Sequence, residues 1–275
     1  MAAEIRALEE QGTWILEKLP HGKKALGSKW VYTEKRDEFE TGLLGAKPAD
    51  FPMEQNDKLA LAEGKVLDDV ENYRRLVGCL IYLSVTRPAY LVHILSQFMQ
   101  SPREEHWEAA LRVVCYLKKN PGQRILLRSD SELRLEGWCD SDWVSCPLTR
   151  RSLTGWFVLL GFSLVSCKTK KQHTVSRSSV EVEYRSIASV MCELKWLKQL
   201  LGDLGVHHSQ SMNLFCDSQS ALYISQNLVF HERTEHIEAD IHFVRDAIKD
   251  GLISPSYVPT KMQLAYIFTK ALGKA

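Results

Sequence analysis

The chain has no long apolar run. Nothing in its 275 residues approaches the ~20 consecutive apolar positions of a membrane-spanning helix. The opening stretch from Met1 to Glu10 is polar and acidic, without an apolar core of signal length, so no targeting segment is expected. The seven cysteines, at 79, 115, 139, 146, 167, 192 and 216, include no C-x-x-C pair, which argues against a zinc knuckle and against a disulfide framework. A reduced intracellular setting, cytoplasmic or nuclear, is the expectation. No charge sign dominates either: 35 Lys+Arg against 34 Asp+Glu leave a formal charge of +1. Any surface for nucleic acid must therefore be local. With 45% hydrophobic and 25% charged residues, the composition supports one or two cores of ordinary domain size.

The patterning divides the chain into four parts. Residues 1–42 pair a short helix, Ala3 to Gln11, with two apolar pieces, Thr13-Trp14-Ile15-Leu16 and Lys29-Trp30-Val31-Tyr32. Across 43–64, Gly45, Pro48, Pro52, Asn56 and Gly64 interrupt every period, which reads as a linker. Residues 65–129 are helical in pattern. Tyr73, Leu76, Val77, Leu80, Ile81 and Leu83 make one stripe, and Tyr90 to Met99 and Trp107 to Leu117 make two more, with Pro88, Pro102 and Pro121 between them.

Residues 130–275 change to the period of strands. Arg134–Trp143, Ser152–Leu160 and Ser163–Lys168 read as an antiparallel meander. A long helix from Ser179 to Leu204 follows, capped by Ser178 or Ser179 and stopped by Gly205. Then come a strand Met212–Cys216, helices Gln219–Gln226 and Ile237–Lys249, a strand Ile253–Val258 and a closing helix Met262–Leu272. This order predicts an α/β fold with a mixed sheet and helices on it.

Three acidic strings fall on these elements: Trp138-Cys139-Asp140-Ser141-Asp142-Trp143, Ser178-Ser179-Val180-Glu181-Val182-Glu183-Tyr184 and Phe215-Cys216-Asp217-Ser218-Gln219-Ser220. A carboxylate at a strand end costs desolvation energy unless it is paired or bound to a cation, so three such places in one domain suggest a shared divalent ligand. Each has a bland alternative. Asp140 and Asp142 fit a solvated strand end, and Asp217 fits a cap for the helix at Gln219. Glu183 lies one turn before Ile187 on the edge of the apolar stripe, where an unpartnered charge is unusual. Glu181 points ~160° away and is expected nearer solvent, so Glu183 is preferred as the ligand.

Residues 133 to 272 resemble the ribonuclease H domain of copia-type LTR retrotransposon polyproteins. The resemblance rests on five strings in family order: Trp138 to Trp143, Thr149-Arg150-Arg151-Ser152, Ser176-Arg177-Ser178-Ser179 through Glu183-Tyr184-Arg185, Cys216-Asp217-Ser218-Gln219-Ser220-Ala221, and His231-Glu232-Arg233-Thr234-Glu235-His236-Ile237-Glu238. It extends to Tyr73-Arg74-Arg75-Leu76-Val77-Gly78 and Leu95-Ser96-Gln97-Phe98-Met99, which look like the segment linking polymerase to nuclease. Glu10-Gln11-Gly12-Thr13-Trp14 and Gly27-Ser28-Lys29-Trp30-Val31-Tyr32 look like the opening of the reverse transcriptase.

The resemblance implies a ribonuclease H-like mixed five-stranded sheet with flanking helices, preceded by a helical connector and a reverse-transcriptase remnant. It also implies cleavage of the RNA strand of an RNA/DNA hybrid by two Mg²⁺ or Mn²⁺ ions ~4 Å apart, with no small-molecule cofactor and no membrane. On this mapping Asp140 bridges the ions, Glu183 and Asp217 complete the first site, and Asp142 and Glu181 are candidates for the outer shell.

Two departures from the family matter. Its polymerase palm, with a Tyr-x-Asp-Asp strand, belongs between the N-terminal segment and the helical connector. Here Thr33-Glu34-Lys35-Arg36 leads within a few residues to Leu43-Leu44-Gly45, so DNA synthesis is not expected. The pair Asp68-Asp69 reads instead as an ordinary helix start. The family's fourth acid lies in a Gln-Leu-Ala-Asp-Ile-Phe-Thr-Lys string, and this chain has Gln263-Leu264-Ala265-Tyr266-Ile267-Phe268-Thr269-Lys270. A phenol is a poor Mg²⁺ ligand, so the second ion's place is expected to be defective.

A local basic run, Lys168, Lys170, Lys171 and Arg177, is a candidate phosphate grip, or else a solvated turn. His231 and His236, with no cysteine near them, fit packing or capping better than metal binding. Two functions remain: a weakened metal-dependent ribonuclease H, and a non-catalytic remnant that at most binds nucleic acid.

Overall fold

The computed structural model describes residues 46–52, 59–84, 90–119, 125–128, 131–227 and 237–270. The expected elements between Ala3 and Tyr32, the string His231 to His236, and the end of the closing helix lie outside the described residues. The chain divides into two units, Met1–Lys35 and Arg36–Ala275, and every described residue belongs to the second.

The helical segment forms α1 (Val70–Leu83), α2 (Tyr90–Ser96) and α3 (Glu104–Lys119). Asp69 caps α1 by accepting a hydrogen bond from the Asn72 amide at 2.9 Å, so the Asp68-Asp69 pair is a helix start as its sequence implied. The apolar stripe of α1 packs Tyr73, Leu76, Val77 and Leu80 against Val92 and Leu95 of α2 and Ala110 and Val113 of α3. The one polar group this buries on Tyr73 is satisfied, because its hydroxyl donates to the Leu95 carbonyl at 2.8 Å. Residues 59–64, expected as the end of a linker, pack onto this bundle instead. Leu59 is buried in its core, its carbonyl meets His106 Nε2 at 2.9 Å, and the Gly64 amide donates to Glu105 at 2.6 Å.

The remaining strands and helices are β1 (Leu135–Asp142), β2 (Leu153–Leu160), β3 (Ser163–Lys171), α4 (Ser179–Asp203), β4 (Met212–Cys216), α5 (Gln219–Gln226), α6 (Glu238–Lys249) and β5 (Ile253–Tyr257). They build one five-stranded sheet in the order β3-β2-β1-β4-β5. The first three strands run antiparallel as a meander, while β4 and β5 lie parallel to β1, as connections through helices require. This is the α/β mixed sheet that the sequence predicted.

One face of the sheet is covered by α4 and α6. Leu135, Cys139, Val158 and Leu214 meet Ile187, Met191, Leu194, Ile241 and Val244 there, all buried. Helix α4 starts where its cap residue lies, with Ser178 accepting from the Glu181 amide at 3.2 Å. It ends at Gly205, whose φ of +83° lets the chain turn back so that the Val206 amide reaches the Leu201 carbonyl at 2.8 Å.

The other face is aromatic: Trp138 stacks between Phe157 and Phe215, and Phe157 meets Phe268 with ring centroids 5.6 Å apart. The segment that covers this face differs from expectation. Instead of an α-helix from Met262 to Leu272, the described part forms two 3-10 turns, Thr260–Met262 and Leu264–Phe268. Gln263 enforces the break. Its side chain accepts from the Ala265 amide and donates to the Cys139 carbonyl at 3.0 Å, which ties the turn to β1 and gives it no room to wind on.

The two cores meet at β2, since Leu153 belongs to the helical cluster, and Lys171 of β3 donates to Gln97 at the end of α2. The described helical segment and sheet are therefore parts of one packed body, and no described helix is long and apolar enough to cross a membrane.

Candidate metal centre

Strand β1 carries Asp140 into the interior. The residue pairs with Gly155 of β2 and is 1% exposed, so it is not at a solvated strand end. Its two carboxylate oxygens have different surroundings. Oδ2 accepts a hydrogen bond from the Thr269 hydroxyl and lies 3.8 Å from the Lys270 ammonium. Oδ1 is buried with no hydrogen-bond partner. Burial pushes the Asp140 carboxyl up to about 6, with Asp217 and Asp142 adding to the rise while Thr269 and Lys270 oppose it.

Helix α4 brings Glu183 to the same place. Burial, with Cys216, Asp140 and Asp217 nearby, pushes its carboxyl well above the usual range, opposed by a hydrogen bond from the Ser141 side chain. Its Oε2 is likewise buried and without a partner. Asp217 follows the last residue of β4. It does not cap α5, because Ser218 does so by accepting from the Ala221 amide at 3.3 Å. Asp217 instead accepts from the Thr260 hydroxyl at 2.9 Å, in the first 3-10 turn.

Glu183, Cys216 and Asp217 each present one potential ligand atom, all within 4.8 Å of one another. Asp140 is not part of this trio, although its charge is felt by Glu183. Two buried carboxylate oxygens without hydrogen bonds, beside a third carboxylate, fit a hard divalent cation, which takes oxygen ligands. The Cys216 sulfur does not suit such an ion.

Asp142 ends β1 opposite Leu153. It is half-buried, and burial raises its carboxyl against the pull of Lys270. Glu181 departs from expectation. It is 3% exposed rather than near solvent, because the connection from β3 folds over the first turn of α4. Its Oε2 accepts from the Arg177 amide at 2.7 Å and its Oε1 pairs with Arg185 at 3.0 Å. Those bonds are those of a helix-start residue. Tyr266, at the fourth acid's position, is half-buried with the Lys270 ammonium 4.4 Å from its ring centroid.

The three lysines of the basic run lie in a strand, since β3 continues to Lys171, while Arg177 falls in the connection after it. Lys168 and Lys170 are exposed on one face of this edge strand, in the cross-strand rows of Cys139 and Ser141, while Thr169 between them shares the row and face of Asp140. Lys171 points the other way, to Gln97 and to Cys146 at 3.1 Å. Arg177 is exposed before the start of α4.

Thr269, Lys270, Thr260 and Ser141 were not singled out from sequence. A signal existed for one of them, because in the expected closing helix Tyr266 and Lys270 would stand four residues apart on one face.

A sheet in this order, with acids on its central strand, on the helix across it and at the end of the next parallel strand, defines a ribonuclease H-like domain. No family model matches the chain. Among curated proteins it is 41% identical over 236 residues to the retrovirus-related Pol polyprotein from transposon RE2 of Arabidopsis thaliana, a match covering 85% of this chain and 16% of the polyprotein. To the corresponding polyprotein from transposon TNT 1-94 of Nicotiana tabacum it is 34% identical over 205 residues, 74% of this chain and 15% of that one. Among solved structures, ribonuclease H1 from the halophilic archaeon Halobacterium salinarum aligns with a TM-score of 0.32 and 16% identity, over 48% of this chain and 90% of that one. The chain belongs to the retrovirus-related Pol family of copia-type retrotransposons and represents its ribonuclease H-like region. It spans about one sixth of the length of the Pol polyproteins it matches.

Proposed function

We propose that this chain is a metal-dependent endoribonuclease that cuts the RNA strand of RNA/DNA hybrids, slowed by Tyr266 at the fourth acid's position and without polymerase activity. The observation that carries the reading is the pair of buried carboxylate oxygens with no hydrogen bond, Asp140 Oδ1 and Glu183 Oε2, beside Asp217. A buried carboxylate oxygen left without a hydrogen bond costs free energy, and a cation bound between two of them would offset that cost.

Asp140, Glu183 and Asp217 would hold a Mg²⁺ or Mn²⁺ ion, which when bound supplies Lewis acidity to a phosphoryl oxygen and acidifies a water molecule. The chain's own part is to keep the Asp140 and Glu183 oxygens buried and all three carboxylates fixed. Gln263 and the Ser186 hydroxyl, which donates to the Asp140 carbonyl at 3.1 Å, clamp β1 at this point. Thr260 orients Asp217. Lys168 and Lys170 offer charge to a phosphate backbone along the edge of the sheet, with Arg177 as a further contact. A second reading, a nucleic-acid binder that cleaves nothing, is favoured by the aromatic ring of Tyr266 where the fourth acid belongs.

The test is cleavage of a labelled RNA/DNA hybrid by the full chain in Mg²⁺ or Mn²⁺. Weak activity is expected, with Tyr266→Asp raising it at least about tenfold, the scale on which even indirect partners of a metal act. If Tyr266→Asp stays at background and Asp140→Asn changes nothing, the catalytic reading fails and the binder remains.

A further inference from the structure

The unequal surroundings of the two Asp140 oxygens carry a conclusion about how many ions this centre takes. An acid that bridges two ions offers one oxygen to each. Here only Oδ1 is free, since Oδ2 already accepts from the Thr269 hydroxyl and faces the Lys270 ammonium at 3.8 Å. The ammonium is itself held in place. It lies over the Tyr266 ring at 4.4 Å from the centroid, an attraction between a cation and the negative face of an aromatic ring. It also acts on Asp142, whose carboxyl it stabilises in the charged form.

The Lys270 side chain is only 29% exposed, so its charge is partly shielded from water. Three features of the second position thus favour a fixed cation: Asp140 Oδ2, the Asp142 carboxylate and the face of a ring that replaced an acid. Gly155 permits the arrangement. The segment bearing Thr269 and Lys270 lies so close to the sheet that a Cβ on Gly155 would stand 2.6 Å from the Thr269 methyl carbon.

We infer that Lys270, held between Tyr266 and Asp140, supplies the positive charge of the second position, so that this centre binds one divalent ion rather than two. The inference rests on the metal-dependent reading above and sharpens it. The substitution at 266 then removes a ligand and installs, through the ring, a seat for a lysine that the same string provides four residues later. An ammonium tethered to the chain need not be recruited from solution, and it cannot be displaced by a dilute ion without giving up both its carboxylate and its ring.

The test counts ions without relying on turnover. The full chain is titrated with Mn²⁺ at pH 8, free Mn²⁺ being followed by electron paramagnetic resonance and heat by calorimetry. One ion is expected. Lys270→Met should bind that ion about tenfold more tightly, the Coulomb effect of removing one unit charge several ångströms from a divalent cation in a water-like medium. Lys270→Arg, which keeps the charge, should bind it as the parent does. Tyr266→Leu, which removes the seat but not the lysine, should tighten binding in the same direction by a smaller factor, and it serves if Lys270→Met does not fold.

Two ions in the parent chain overturn the inference and leave the nuclease reading standing, as does unchanged or weaker affinity in folded Lys270→Met. No ion in the folded parent overturns the metal-dependent reading itself.

Discussion

Gly155→Ala isolates the contact on which the site depends. Gly155 stands opposite Asp140 across β1 and β2, and the second 3-10 turn crosses directly above it. An added Cβ would meet the Thr269 methyl at 2.6 Å, the Phe268 Cβ at 2.7 Å and the Phe268 carbonyl carbon at 3.0 Å. One of these atoms is backbone, so a side-chain rotation cannot relieve the clash and the turn must lift from the sheet. Overpacking of this kind costs about 1–3 kcal/mol. The alanine also restricts the unfolded chain, which returns about 0.4–1 kcal/mol, leaving a net loss of about 1–2 kcal/mol.

Gly78→Ala is the matched control. That glycine lies within α1 with nothing near its would-be Cβ, so the substitution should stabilise by about 0.5–1 kcal/mol through helix propensity. Urea unfolding followed by circular dichroism reads both, in chelator so that no metal contributes. The reasoning is refuted if Gly155→Ala is as stable as the parent or matches the gain of Gly78→Ala.

Two further outcomes follow from the same geometry. Because the folded carboxyl of Asp140 is raised from 3.8 to about 6, the folded chain holds its proton more tightly than the unfolded chain does. The penalty for its charge is therefore full above pH 6 and relieved as pH falls towards 4, a span on the order of 3 kcal/mol. Asp140→Asn should accordingly be more stable than the parent at pH 8 in chelator, with the gap narrowing to about a third by pH 4.5 and closing below pH 4. A gap that is constant or widens on acidification contradicts the account. Glu181→Ala should cost about 1 kcal/mol of stability by removing the helix-start bonds to the Arg177 amide and Arg185, while leaving Mn²⁺ affinity unchanged. A large loss of affinity in a folded variant would restore Glu181 to the metal's surroundings.

Much of the fold was legible because local signals agreed with one another. Ser178 and Gly205 mark the two ends of α4, β4 runs from Met212 to Cys216 as its apolar pattern indicated, and the alternation of β1 places Cys139 and Asp140 on opposite faces. Among the acids only Glu183 stands out by itself, because a charge on an apolar stripe needs a partner to be tolerated, whereas Asp140 and Asp217 each admit a bland alternative and are marked through the family resemblance.

What was not legible depends on contacts distant in sequence. Helical periodicity alone could not reveal that Gln263 would bond a strand more than a hundred residues away and break the closing helix into 3-10 turns. Nor could a helical wheel place Glu181, since its burial comes from the preceding connection folding over it rather than from the helix face it occupies. Nor does the sequence separate a phosphate grip from a solvated turn at the basic run, whose three lysines fall in the edge strand β3, where an exposed edge accommodates them.

The most direct test of the central claim is the cleavage of an RNA/DNA hybrid by the full chain, compared with its Asp140→Asn variant in Mn²⁺. The account predicts slow endonucleolytic cutting of the RNA strand by the parent and none by a folded Asp140→Asn. Cutting that survives Asp140→Asn, or none from the parent while Tyr266→Asp is also silent, would contradict it.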